Sequence, residues 1–556
     1  MSVSAEEMKV SQSERRVETT TFGKVQASAL KQDFNLWSTL GVAFSYIATP
    51  LSIITYLAFS LVAGGSPYFF YSYITVFFFN SLVALSLAEM AGFLPHASGK
   101  NLRGLFFPFT LWIADSFLPP GQIFWTARLA PSSVARALSY FNGAFTVMAW
   151  VFWTAGTYLF AAELVFAFVQ ICGGVWGEKS FQVFLLYVAF ALFSLFMNTV
   201  GFKLLPFLSK VMIGYINIGA LFVFITLLVR SHPKPSARHV FVDVVNETGW
   251  PSDGLVFFLS LLPGVSAING FDSAAHLAEE LPHPAQQVPQ VMIGTVLLCG
   301  LSGLPMLIAM LFSITKPENL LTASQPAFQL FYDSFDSMPL TVIAGVLYLG
   351  LFTFASGTIL TTSSRVWWSF ARSGALPLSQ WQGKVSDRWT LPLNAIYVVA
   401  ALSVLIGLLI LGPSTVLTGI IGSAAICFYI SYAMPIVCLL IRGRQGLPKR
   451  RYFNLGRAGP VINLVSVAWG LLVSVFLCFP TWYPVTSTLM NYAVGVVAVG
   501  LLIFAINWVL HARKQYQIPL ALYVEELHGG SGLKEVSNDV VESPQTSTSL
   551  EDSGLL

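Results

Sequence analysis

About twelve stretches, each of roughly 20 apolar residues, follow one another along this chain, and few folds can absorb them. They centre near Ser38–Val62, Phe70–Gly92, Ala144–Ile171, Phe181–Val200, Leu208–Val229 and Leu255–Ala275, then near Val288–Ser313, Met338–Thr362, Leu393–Leu411, Val416–Ile441, Val461–Phe479 and Tyr492–Leu510. In hydrocarbon every backbone polar group has to be paired inside the protein, so runs of this length read as membrane-crossing helices. The runs are continuous, not alternating, which excludes a membrane β-barrel. Only 10% of the 556 residues are charged, against about a quarter in a soluble domain. The chain therefore reads as an all-α polytopic membrane protein over residues 38–511, with tails at 1–37 and 512–556.

Basic residues collect on the cytoplasmic side of such proteins. With the N-terminal tail inside, only Lys179, Arg230, Lys234, Arg238 and Lys316 of the 29 Lys and Arg fall outside, and the other 24 fall inside. Both termini are thus expected in the cytoplasm. The first 30 residues are polar and carry no apolar stretch, so no cleavable leader is expected. The segment after Tyr523 is acidic, Ser-rich and without aromatics, the composition of a disordered tail. The five cysteines show no CxxC spacing and read as small packing residues, with neither disulfide framework nor metal site expected.

Two runs are interrupted at mid-depth. The first, GVAFSYIATPLSIITYL, carries Ser45, Thr49 and Pro50; the sixth, LLPGVSAINGFDSAAH, carries Pro263, Gly264, Asn269 and Gly270. Proline removes a donor and glycine weakens a helix. Such breaks survive in lipid only where protein or a cavity covers them. Broken helices at matching positions of two halves point to a transporter binding site. Runs one and six are five apart, the spacing of two five-helix repeats plus two extra helices.

Several stretches carry a resemblance. SALKQDFNLWSTLGVAFS, SLAEMAGFLPHASG, GFDSAAHLAEELPHPAQQVPQVM, SSRVWWSFARSGALPLSQW, ISYAMPIVCLLIRGR, YFNLGRAGPVINLVSVAWG and FPTWYPVTSTLMNYAVGV occur in order between about Phe22 and Pro519. Together they resemble the amino acid–polyamine–organocation superfamily, within it the fungal branch that carries amino acids, γ-aminobutyrate, choline and polyamines. The resemblance implies a leucine-transporter-like five-plus-five inverted repeat with discontinuous helices 1 and 6. It also implies alternating access, substrate held between those helices, and proton symport. The chain departs from that pattern in three places. Tyr46-Ile47-Ala48-Thr49-Pro50 replaces a more polar first break. Ser373 replaces an Asp. Residues 100–120 separate PHASG from GQIFW, where relatives run straight on. That insert is either a translated intron or an amphipathic segment on the inner leaflet; transcript sequencing across the joint separates the two.

Candidate substrate ligands are Ser45, Ala48 and Thr49 at the first break, Asn269, Gly270, Phe271 and Asp272 at the sixth, and Glu163 on the third run. A broken helix exposes carbonyls on one side and amides on the other, suited to cations and anions respectively. Phe271 offers an aromatic face to an amine. Asp272 either attracts an amine or a proton, or simply N-caps the second half-helix. Ser45 and Thr49 either bind a carboxylate or back-bond to their own helix. Glu163 sits deep in an apolar run, where an acid is costly and a functional candidate. With Asp272 and His276 it makes up the proton-coupling candidates; His276, four residues after Asp272, faces the same way. Glu89, Glu279, Glu280, Arg365 and Arg372 are candidates for inner-gate ion pairs, the alternative for the arginines being headgroup anchoring.

There is no HExxH, GxSxG, Walker loop or CxxC, so no enzyme, catalytic residue, cofactor or nucleic-acid partner is expected. The sequence reads as a monomeric secondary transporter in the plasma membrane or the vacuolar membrane, driven by a proton gradient. Its solute is an amino acid, or alternatively choline, γ-aminobutyrate or a polyamine. A transport-inactive nutrient sensor on the same scaffold is the reading of another class.

Overall fold

The computed structural model describes residues 35–92, 121–174, 179–323, 325–411, 414–444, 447, 452–487 and 489–517. The tail residues 1–34 and 518–556 and the insert 100–120 lie outside them, as do the expectations placed on those segments. Among the described residues eleven helices are long and apolar enough to cross a membrane. Spans 1 to 5 are Leu36–Val62, Gly65–Ala91, Ala135–Ile171, Ser180–Asn198 and Phe202–Arg230. Spans 7 to 12 are Pro284–Leu311, Met338–Arg372, Leu393–Leu411, Gly419–Arg442, Gly456–Phe476 and Ala493–Gln515. Span 6 completes the expected twelve in pieces: Asp253–Leu259, Leu262–Ala267, Ser273–His276 and the 3-10 turn Ala278–Glu280. An even number of crossings puts Asn35 and Gln517 on one face, here called the tail face.

Packing sorts the spans into two groups. Spans 1, 2, 6 and 7 contact one another, and spans 3, 4, 8 and 9 form a second set. Members five apart thus occupy equivalent places, as a five-plus-five repeat requires. Span 10 lies against span 3 and carries span 11 on its other side. Leucines, isoleucines and valines such as Ile218, Val229, Leu502 and Leu510 point outward and exposed, as a lipid-facing perimeter needs.

Both expected breaks are present. Span 1 is helical over Leu36–Ile47, then Ala48 turns left-handed at φ 41°, and Thr49–Ser52 resumes the helix. Pro50 lacks the N–H that would have bonded one turn back, so the first segment has to stop before it. A non-glycine residue in that region costs on the order of 1–3 kcal/mol, which the fully enclosed surroundings of Ala48 sustain. In span 6 the chain is unwound over residues 268–272, with Gly270 at φ 78°. Pro263 makes no break of its own; it occupies the first turn of Leu262–Ala267, where a missing N–H costs nothing.

Other details differ from the sequence reading. Span 3 begins at Ala135 and span 8 runs to Arg372, longer than their apolar centres, the added turns carrying polar residues such as Arg136, Ser139, Arg365 and Ser369. A two-residue antiparallel ladder, Ala63–Gly64 against Val245–Asn246, ties the span 1–2 corner to the span 5–6 loop. The helix of span 12 continues past residue 511 to Gln515. There Tyr516 is buried, its hydroxyl 3.1 Å from Ser139 and its carbonyl accepting from Arg136 Nε at 2.9 Å. Cys172 is exposed at the end of span 3 rather than packed, while Cys299, Cys427 and Cys438 are buried as expected.

Candidate functional site: a pocket between the two breaks

The two breaks are stitched together by side chains. Thr49 Oγ1, just past the break of span 1, donates to the Ala267 carbonyl at 2.5 Å. Asn80 Nδ2 on span 2 donates to the Ile268 carbonyl at 2.6 Å. The amide oxygen of Asn80 accepts in turn from Tyr429 Oη at 2.6 Å and Trp469 Nε1 at 3.0 Å. The carbonyls ending the first half of span 6, expected to stand open to a cation, are therefore engaged by protein donors. Ser45 likewise turns away from the break: its hydroxyl donates to Gly41 O in its own helix. Thr49→Val keeps the side-chain shape and strands the Ala267 carbonyl, which should cost about 1–3 kcal/mol. A lowered melting temperature in detergent checks this; an unchanged one contradicts the stitch.

Asp272 is wholly buried, and it does not cap the helix that follows it. Its carboxylate instead meets three polar partners from three elements. Oδ2 accepts from Gln122 Nε2 at 2.6 Å, on the short helix Gly121–Leu129, and lies 2.8 Å from His276 Nε2. Oδ1 accepts from Tyr432 Oη of span 10 at 2.6 Å. His276 presents one ring nitrogen to Asp272, and its ring meets Trp150 of span 3 edge-on at 5.8 Å. Phe271 packs on Tyr432 at 5.2 Å and is buried.

Above this cluster, away from the tail face, lies a partly open pocket. Span 1 lines it with Ile47, Ser52, Thr55 and Tyr56, and span 3 with Trp153, Gly156, Thr157 and Phe160; Ser266, Phe352 and Ile421 close it from spans 6, 8 and 10. Tyr56, Phe160 and Phe352 form a run of rings 6.3 Å apart. Trp153, Phe428 and Tyr432 continue the aromatic layer downward, at 6.0 and 5.8 Å, and separate the pocket from Asp272. No lining side chain is charged.

The sequence candidates thus divide. Ala48, Thr49, Asn269, Gly270, Phe271, Asp272 and His276 do converge, but as the floor beneath the pocket rather than its walls; the pocket borders them through Ile47 and Ser266. Glu163 does not join them. It is only partly buried, eight residues before the end of span 3, and about 20 Å along the helix from Trp150. It follows Phe160 by three residues, so it sits on the pocket-facing side one turn further out.

Of the gate candidates, Glu280 and Arg365 pair at 2.8 Å with both side chains almost fully enclosed. Glu89 instead meets Arg444 of the span 10–11 loop and accepts from Leu455 N at 2.9 Å. The Arg372 guanidinium lies over the Trp368 ring at 4.3 Å. The side chain of Glu279 is outside the described set. Gln122, Tyr432, Asn80 and Arg444 were missed as site residues. Gln122 and Tyr432 lie in the stretches GQIFW and ISYAMP, and Asn80 is a lone amide inside FFFNSLV, which was a usable signal.

The model of the amino acid permease family matches residues 34–503. The chain belongs to the amino acid permease family. The permease is 30% identical over 534 residues to the choline transporter of Saccharomyces cerevisiae, covering 94% of this chain and 87% of that one. It is 26% identical over 489 residues to the transmembrane transporter swnT of Metarhizium robertsii, with 88% and 93% covered. To the amino-acid permease BAT1 of Arabidopsis thaliana it is 25% identical over 509 residues, with 88% and 94% covered. It is a multi-pass membrane transporter and not an enzyme.

Proposed function

We propose that this permease is a secondary active importer of a small organic cation of the choline class, working by alternating access. The observation that carries this is the pocket above the two breaks, walled by Tyr56, Trp153, Phe160 and Phe352 with no charged side chain among its lining residues. Aromatic faces attract a desolvated ammonium by about 2 kcal/mol or more per well-placed ring. A carboxylate-bearing solute needs donors at the first break, and the hydroxyls of Ser45 and Thr49 are committed to Gly41 and Ala267. The yeast choline transporter among its relatives supports the same class.

An amino acid is the second reading, favoured by the family match and by Ser52, Thr55, Thr157 and Ser266 in the walls. Glu163, one turn beyond Phe160, would draw a cation into the approach. The driving force is a proton gradient, the acting unit a monomer in the plasma membrane with both termini cytoplasmic, in keeping with the bias of basic residues. The test is uptake of labelled choline, amino acids, γ-aminobutyrate and polyamines by permease-deficient cells at two external pH values. Choline uptake is expected, with Trp153→Ala lowering affinity about tenfold, a loss of ~1.4 kcal/mol. Uptake of amino acids alone would select the second reading, and a folded surface protein that carries nothing would select the sensor.

A further inference from the structure

We propose that His276 Nδ1 is the seat of the transported proton, with Asp272 as its fixed counter-charge. The inference rests on the transport reading above and deepens it. His276 is 6% exposed, and its side chain is fully enclosed. Its Nε2 lies 2.8 Å from Asp272 Oδ2, a carboxylate oxygen that can only accept when ionised, so Nε2 carries the hydrogen. In the neutral ring that leaves Nδ1 with a bare lone pair. Among the described residues Nδ1 has no hydrogen-bond partner, although it is buried. What holds a second ring proton in this enclosed place is the Asp272 carboxylate, 2.8 Å from the other ring nitrogen.

Protonation there turns the pair into imidazolium and carboxylate. Nothing else has to move, because Gln122 and Tyr432 already hold the other lone pairs of Asp272. Among the described side chains no competing charge lies at this level. Span 10 contributes Tyr432, and span 8 contributes Arg365, which is neutralised by Glu280 one turn beyond His276. The segments Leu36–Ile47 of span 1 and Pro284–Leu311 of span 7 carry no Asp, Glu, Lys, Arg or His. On span 3 Arg136 and Glu163 stand 14 and 13 residues from Trp150, and on the short helix the nearest base is Arg128, six residues from Gln122. His276 also lies at the pocket floor, on the short helical piece that follows the unwound segment and leads to Glu280 of the Glu280–Arg365 pair. A proton there changes the charge of the element that connects pocket and gate.

The test uses the full chain in proteoliposomes with the membrane potential held at zero and choline as probe. One proton per choline predicts about tenfold accumulation for one pH unit, since each unit is worth 1.36 kcal/mol. His276→Gln can keep an amide near the Nε2 position while removing Nδ1. It should reduce the accumulation ratio to about one, and isosteric Asp272→Asn should lower it as well. Choline counterflow, which needs no gradient, is measured beside it. A wild-type carrier that shows counterflow but ignores the pH gradient, or either variant still accumulating tenfold, overturns the proposal while leaving transport intact. Absent counterflow in the wild type rejects choline as the solute instead. A second arm then decides on the proton itself, by ¹⁵N-histidine NMR of the purified chain. The signal missing in His276→Gln should gain a second ring proton as the pH is lowered, and a signal that stays singly protonated overturns the assignment.

Discussion

Arg365→Ala should destabilise this arrangement of the permease by about 3–5 kcal/mol, because it leaves a carboxylate buried without its partner. Arg365 donates through Nε to Glu280 Oε1 at 2.8 Å, approaches Ser364 Oγ at 3.2 Å through Nη1, and lies 5.0 Å from the centre of the Phe202 ring. Both charged side chains are shut away from solvent. Most of the expected loss is the stranded Glu280 rather than the attraction itself, so Arg365→Ala with Glu280→Gln should recover much of it. Thermal stability of the single and double variants in detergent checks this. The same pair joins span 6 to span 8, one from each packing group, near the tail face. Breaking it should therefore also shift the balance between closed and open tail faces by roughly a hundredfold or more. Equal stability of Arg365→Ala and the native chain would mean that the pair is not a lock.

Gly270→Leu should abolish transport, with uptake down about a hundredfold at equal surface expression, whichever solute is carried. Gly270 has φ 78° inside a buried unwound segment. An L side chain there costs about 1–2 kcal/mol in backbone strain alone, before any bulk is placed. Gly270 N also donates to Asn269 Oδ1 at 2.9 Å, and its carbonyl accepts from Ser273 N at 3.2 Å, so a change of φ would disturb both sides of the break. Gly270→Ala isolates the strain and should lower uptake about tenfold. Uptake by Gly270→Leu at native rate would remove the span 6 break from the transport cycle.

Much of the architecture was legible in the residue order. Pro50 forbids a continuous first helix, and Asn269-Gly270 invites a turn in the sixth, and both breaks lie where these residues put them. The pairing of spans five apart followed from the same two interruptions. The roles of single side chains were harder to read. Ser45 is indistinguishable in sequence from a ligand, yet it back-bonds to Gly41. Asp272 has the position of a cap, yet its carboxylate turns to Gln122, His276 and Tyr432. Glu163 is an acid in an apolar run, yet it lies well above the floor of the pocket. Glu89 takes Arg444, 355 positions away, instead of an arginine of span 8.

The residue order alone therefore determined that this chain crosses a membrane many times, that its first and sixth crossings are broken, and where. Those properties are local: they depend on run length, a missing N–H and a residue without a β-carbon. Only the tertiary structure decided which polar groups are spent on holding the breaks and which face the pocket. A donor satisfies whatever acceptor the packing brings within 3 Å, and that distance is set by helices far apart in the chain.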